Sequence, residues 1–307
     1  MLSRRTFLKG VTVGAAGLAV GAAARDMAPD GYTGTPIVER LTLPIRELPR
    51  EFIGYKIGFL TDLHLGIWVP QSWITHALDT LSSANVDLLL LGGDYIYICD
   101  TPIWSLARCI RNNDYLGMKR APMTARAFSD VLRIIARYSF RDGTVGVVGN
   151  HEHWNSYALF AEAVKEFPSI RILMNEEISI DRGGVSLDIL GVDDYLTGFP
   201  IKPPARRGPP SERPRILLSH NPDFVAEVLE EGPPSFDIAL CGHTHGGQVR
   251  LPCLTGAVIP VQDPRFMSGL TTLDGTHVYT SRGLGVVGLP FRVNCPPEIT
   301  VIELQSA

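Results

Sequence analysis

Five short clusters gather most of the metal-ligating side chains of this chain: Asp62-Leu63-His64, Gly93-Asp94, Gly149-Asn150-His151-Glu152, His220-Asn221 and Gly242-His243-Thr244-His245. Carboxylate, imidazole and amide donors in this mixture suit a pair of divalent ions. Two such ions held about 3.5–4 Å apart need one carboxylate that bridges both, with N and O donors filling each shell and positions left for water and substrate. Asp94 is the candidate bridge. Asp62, His64 and His245 complete one ion's shell, and Asn150, His220 and His243 the other's. No cysteine stands at a ligand position, so the donor set suits Mn, Fe or Zn over a thiolate structural zinc site.

Most of these clusters directly follow a short apolar run that reads as a buried strand. Strands are expected over residues 56–60 before Asp62, 87–91 before Asp94, 145–148 before Asn150, 215–218 before His220 and 237–240 before His243. Further strands are expected over 186–190, 278–280 and 299–303, and helices over 73–83, 157–167 and 223–231. The ligands therefore stand where strands end, the edge at which open α/β sheets bind ligands. Residues 41–52 read as an edge strand interrupted by Pro44 and Pro49, behind a polar linker over residues 25–40. The alternation implies an α/β fold with two sheets flanked by helices.

The order Asp-x-His, Gly-Asp, Gly-Asn-His-Glu, His, Gly-His-x-His resembles the calcineurin-like metallophosphoesterases from about Tyr55 to the C-terminus. The stretch from Cys241 to Pro252 and the later Ser281-Arg282-Gly283-Leu284-Gly285 are similar to the exported or membrane-associated bacterial branch of that family. The resemblance implies a four-layer sandwich in residues 51–307 and a binuclear hydrolase. In that hydrolase a metal-bridging hydroxide attacks phosphorus in line, and His151 serves the leaving oxygen as acid without being a ligand. It further implies a phosphate-ester substrate, a monoester or diester of a small molecule, a cell-envelope polymer or a lipid head group. A pyrophosphohydrolase resembling the UDP-2,3-diacylglucosamine hydrolases, or a non-catalytic metal-dependent anion binder, are the rival readings.

The chain departs from the family pattern at one place. The family often continues Gly-Asp-x-x-Asp, the second Asp orienting the catalytic histidine, but Tyr97 stands there and Ile98 follows it. Tyr97, Asp100 and Glu152 are the alternative orienters. The same departure argues against a Ser/Thr protein phosphatase. Of the eight histidines, His76, His153 and His277 stand outside the constellation. His76 reads as a helix-surface residue and His277 as part of a strand, while His153 lies one step beyond the site loop.

Residues 1–24 have the form of a twin-arginine export signal. Ser3-Arg4-Arg5-Thr6-Phe7-Leu8-Lys9 precedes an apolar run of small residues ending in Ala22-Ala23-Ala24, with cleavage expected before Arg25. The run from Gly10 to Ala24 is shorter than the roughly 20 residues that span a bilayer. The expected partner is the twin-arginine translocase, and the expected location is the periplasm or the outer face of the cytoplasmic membrane, with peripheral membrane contact.

With 307 residues the chain is long enough for one large α/β domain. Its 28 Lys and Arg against 32 Asp and Glu, net charge -4, give no support for nucleic-acid binding. Five scattered cysteines form no disulfide framework, although Cys99 and Cys109 could close a loop after export. Residues 95–124 hold Trp104, Arg108, Arg111, Tyr115, Lys119 and Arg120, and read either as a lid over the metals or as a solvated excursion. The proline-rich stretch over residues 198–214 reads as a stiff surface connection.

Overall fold

Four consecutive leucines set the layer order. In β4 (Leu88–Leu91), Leu88 and Leu90 join one hydrophobic core while Leu89 and Leu91 join another, and all four are buried. A strand covered on both faces needs an unbroken apolar run. The computed structural model describes residues 35–98, 121–205, 213–250, 260–273 and 275–307.

The first sheet runs in the order β1 (Ile37–Ile45), β14 (Glu298–Ser306), β2 (Lys56–Leu60), β4, β6 (Thr144–Gly146) and β7 (Ile170–Ile172). The second runs β12 (Gly269–Leu273), β13 (Thr276–Thr280), β11 (Ile238–Cys241), β10 (Arg215–Leu218), β9 (Val185–Gly191) and β8 (Glu176–Arg182). Between them Ile57, Phe59, Leu88, Leu90 and Val145 pack against Leu187, Ile189, Ile216, Leu218, Ile238 and Leu240. The outer face of the first sheet is covered by α1 (Gln71–Ser83), α2 (Ala121–Ile135) and α4 (Tyr157–Lys165) through Ile74, Leu78, Leu81, Phe128, Leu132 and Phe160. On the outer face of the second, Leu190, Leu217, Ala239 and Val278 meet Phe224 and Val225 of α5 (Pro222–Glu230). Each of these buried Val, Leu, Ile and Phe side chains contributes about 1.5–3 kcal/mol relative to exposure. The product is the expected four-layer α/β sandwich.

β2, β4 and β6 are mutually parallel, as are β9, β10, β11 and β13, so their C-terminal ends bring the loops after them together. A two-stranded ribbon, β3 (Leu65–Gly66) with β5 (Ile96–Tyr97), lies beyond β2 and β4.

Several boundaries differ from those read in the sequence. The edge strand spans Ile37–Ile45 and so begins within the expected linker; it tolerates Pro44 because only β14 pairs with it. Pro49 instead caps a single 3-10 turn at Arg50–Phe52. β8 was not expected: it alternates polar and apolar residues and joins β9 through Gly183 and Gly184, whose φ of 57° and 88° permit the tight reversal. Of residues 95–124, Ile96–Tyr97 form β5 and residues 121–124 open α2, so both ends belong to the frame. Residues 99–120 of the proposed lid, with Asp100 and the Cys99 and Cys109 pair, and the export signal lie outside the described residues. Among the described residues no helix is long and apolar enough to cross a membrane.

Candidate metal centre

All five clusters converge at the C-terminal ends of the parallel strands, and every proposed ligand is buried. Asp62, His64 and His245 place donor atoms within 4.8 Å of one another, as do Asp62, Asp94 and His220, and His64, Asp94 and His151. The Nε2 atoms of His64 and His245 face each other at 3.1 Å, and His245 Nε2 lies 3.3 Å from Asp62 Oδ1. On the other side, the Asn150 side-chain oxygen lies 3.2 Å from His220 Nε2 and 2.9 Å from His243 Nδ1. Asp94 stands between the two sets, its Oδ2 3.5 Å from His64 Nε2 and 3.3 Å from His220 Nε2.

The backbone holds these side chains at a cost. Asp62, His64, Asp94, His243 and His245 all have positive φ, from 47° to 69°. L-residues adopt this left-handed region rarely, and its use concentrates at functional sites. Gly149 is required by close approach: a Cβ there would lie 2.3 Å from Asp94 Oδ1 and 2.9 Å from His220 Nε2. Gly242 is fixed in the same way by Thr61 and Asp62, at 2.2 and 2.4 Å.

The donor set fits divalent cations. Two buried carboxylates and several imidazole nitrogens crowd into contact, an arrangement whose desolvation bound cations would offset. Burial depresses the basicity of His64, His243 and His245, which keeps their lone pairs available. Burial alone would raise the Asp94 carboxyl, but His220 and His151 beside it hold it well below the usual range. His220 Nδ1 donates to the Gly92 carbonyl at 2.7 Å, which leaves Nε2 as the ligating atom. Cys241 is buried outside all three donor groups.

His151 is held beside the cluster by its own amide, which donates to Asp94 Oδ1 at 2.9 Å. Glu152 does not orient it. Its carboxylate is consumed by main-chain amides, Oε2 accepting from Asp94 at 2.9 Å and Gly149 at 2.8 Å, and Oε1 from Tyr95 at 2.9 Å. Tyr97 remains against His151, with ring centroids 5.6 Å apart. His153 bonds Asp193 Oδ1 at 2.8 Å, His277 bridges Thr272 and the Pro44 carbonyl, and His76 is exposed on α1.

Two features escaped the sequence reading. Asp193 and Asp194 follow β9 at the same sheet edge, as Asp94 follows β4; the Gly191-Val192-Asp193-Asp194 run behind an apolar strand was the available signal. Arg292 has no such signal. Its guanidinium collects carbonyl oxygens from two loops: Gly285 at 2.5 Å, Arg282 at 2.8 Å, Gly283 at 3.1 Å and His245 at 3.2 Å. The loop it grips lies on the main chain of the first ligand cluster, Leu284 N donating to Thr61 O and Gly285 N to Asp62 O at 2.7 Å.

The Calcineurin-like phosphoesterase family pattern matches residues 55–247, the span that contains every proposed metal ligand. This chain belongs to the calcineurin-like phosphoesterase family. It is a metal-dependent phosphoester hydrolase. Phosphodiesterase YaeI of Escherichia coli (strain K12) is 34% identical over 258 residues, covering 81% of this chain and 82% of its own. The metallophosphoesterase YkuE of Bacillus subtilis (strain 168) is 26% identical and covers 99% of this chain and 98% of its own. UDP-2,3-diacylglucosamine pyrophosphatase LpxG of Chlamydia trachomatis serovar D is 25% identical, with 87% and 90% covered.

Proposed function

We propose that this calcineurin-like phosphoesterase is a binuclear phosphodiesterase acting outside the cytoplasmic membrane. The observation that carries the two-ion reading is the place of Asp94: a single carboxylate oxygen stands 3.5 Å from His64 Nε2 and 3.3 Å from His220 Nε2. Asp62, His64 and His245 would hold one ion, Asn150, His220 and His243 the other, and Asp94 both. The ions, when bound, supply Lewis acidity to the phosphoryl oxygens and to water. Mn, Fe and Zn all suit these donors.

His151 serves the leaving oxygen. Its ring is set against His64, with centroids 4.6 Å apart, and its amide is anchored on Asp94, so an Nε2 proton can be delivered beside the reacting phosphorus. Diester cleavage is favoured by the likeness to a phosphodiesterase that spans four-fifths of the chain. A pyrophosphohydrolase acting on a lipid precursor is the second reading, favoured by the likeness to LpxG. Monoester hydrolysis stands behind both.

Export by the twin-arginine translocase rests on Ser3-Arg4-Arg5-Thr6-Phe7-Leu8-Lys9 and the apolar run after it. That route carries folded proteins, so the metal site would be loaded before export. The periplasm or the outer face of the cytoplasmic membrane, with peripheral membrane contact, is the location that follows. Fractionation of cells expressing the chain with Arg4 and Arg5 both changed to Lys tests this: retention of the variant in the cytoplasm supports the route, and unaltered export refutes it.

Hydrolysis of bis-p-nitrophenyl phosphate beside p-nitrophenyl phosphate, by stripped protein with each metal restored, tests the reaction. The diester should turn over faster. A preference for the monoester would overturn the diester reading.

A further inference from the structure

A chain of rings leads from the donor cluster to the surface. Trp68 stacks on Tyr97 with centroids 5.2 Å apart and planes at 25°. Tyr97 lies 5.6 Å from His151, and His151 lies 5.0 Å from Trp154 in an edge-on contact. Tyr97 and His151 are buried, Trp68 is half-buried, and Trp154 is 41% exposed. The chemistry assigned above uses His151 alone among these four.

The fold holds the rings in this order from two directions. In the β3–β5 ribbon Gly66 is paired with Tyr97, and a Cβ at Gly66 would lie 2.3 Å from the Tyr97 carbonyl oxygen. The loop leaving β3 therefore lies directly on β5, which sets Trp68 on the Tyr97 ring. From the other direction, α3 (Asn150–Asn155) carries His151 and Trp154 three residues apart, the spacing that makes helical side chains neighbours. His151 is thus in contact with both Tyr97 and Trp154.

We propose that Tyr97 and Trp154, each in contact with His151, together with Trp68 stacked on Tyr97, form a leaving-group subsite that binds a planar aromatic ring carried by the ester oxygen. The inference rests on the reading of His151 as the acid. A proton donor must lie within hydrogen-bond reach of the oxygen it protonates. The first ring-sized portion of the leaving group then falls beside the rings that touch His151, which among the described residues outside the donor cluster are Tyr97 and Trp154. Stacked and edge-on aromatic contacts favour π faces, whereas a second phosphate as leaving group calls for donors and cations. The substrate class that fits is an aryl or nucleobase-bearing phosphodiester.

The test compares two methyl diesters whose leaving alcohols have closely matched acidity, methyl 4-chlorophenyl phosphate and methyl hexafluoroisopropyl phosphate. The metal-loaded full chain, Trp154→Ala and Trp68→Ala are followed by phosphorus NMR, with metal content measured for each. The wild type should prefer the aryl ester in kcat/KM by about ten-fold, the scale of one aromatic stacking contact. Either tryptophan variant should bring that ratio toward unity, mainly through KM and at unchanged metal content. Should Trp68→Ala fail to fold, Trp154→Ala decides, because its side chain stands largely clear of the core. Absence of an aryl preference in the wild type, or a preference that survives both substitutions, overturns the subsite. If the metal-loaded wild type turns over neither ester, the diesterase reading beneath it falls as well.

Discussion

The Glu152 carboxylate accepts the amide of Asp94 at 2.9 Å, and the same oxygen accepts the amide of Gly149 at 2.8 Å. One buried side chain thereby fastens the turn after β4 to the turn after β6, the two turns that present Asp94 and Asn150. Glu152 follows the proposed acid in sequence, yet its partners are main-chain amides. It sets the spacing between the proposed bridging carboxylate and the second ion's amide ligand.

Glu152→Gln should therefore damage both stability and metal binding. The amide isostere keeps one acceptor and turns its NH2 toward an amide donor, and each buried amide left without its acceptor costs about 1–3 kcal/mol. Urea unfolding of the stripped protein should show the loss, with weaker metal uptake alongside. Wild-type stability and uptake in the variant would remove the clamp from the account.

Arg292 makes a second, separable prediction. Its guanidinium joins the carbonyls of Arg282, Gly283 and Gly285 to that of His245, and Nη2 lies 3.3 Å from His245 Nδ1. Arg292→Lys keeps the charge but loses the fork that reaches several acceptors at once. Outer partners of this kind are typically worth about 10–100-fold in metal affinity. The loss should fall on the ion held by Asp62, His64 and His245, leaving one tighter ion per chain in a Mn titration followed by EPR. Two ions bound as in the wild type would count against it.

Strand ends and ligand clusters were legible because apolar runs and ligand types sit side by side in the chain. Lys56–Leu60 and Arg215–Leu218 fall where the sequence places them, since each is a short buried run closed by a turn. β8 was hidden by its half-exposed, charged composition, Glu176–Arg182, and α2 by the cationic stretch ahead of it, which drew residues 121–124 into a supposed insertion. The work of Glu152 and Arg292 was illegible for a different reason. Their partners are amides and carbonyls, which every residue has, so no residue type or spacing marks them.

Away from the centre, Asp188 gives a pH-dependent prediction with a definite sign. Burial alone would raise its carboxyl, but Arg213 Nε and Nη2 at 2.9 and 2.7 Å and the Ser179 hydroxyl at 2.7 Å hold it below its ordinary value. A depressed folded pKa means stability that is complete above the unfolded value of about 3.9 and fades as pH falls through the folded one. The Tm gap between wild type and Asp188→Asn should therefore be widest near neutrality and narrow in acid. A gap that is constant across that range would contradict the assignment.

The most direct test of the central claim joins stoichiometry to turnover. Stripped protein is titrated with Mn while bound metal and hydrolysis of bis-p-nitrophenyl phosphate are followed together, beside Asp94→Asn and His151→Ala. Two ions per wild-type chain should bind, with turnover appearing as the second is taken up. Asp94→Asn should lose metal and activity together, whereas His151→Ala should keep both ions and lose activity by about 10²–10⁴-fold. Full turnover with a single ion per chain, or His151→Ala as active as the wild type, would contradict the account.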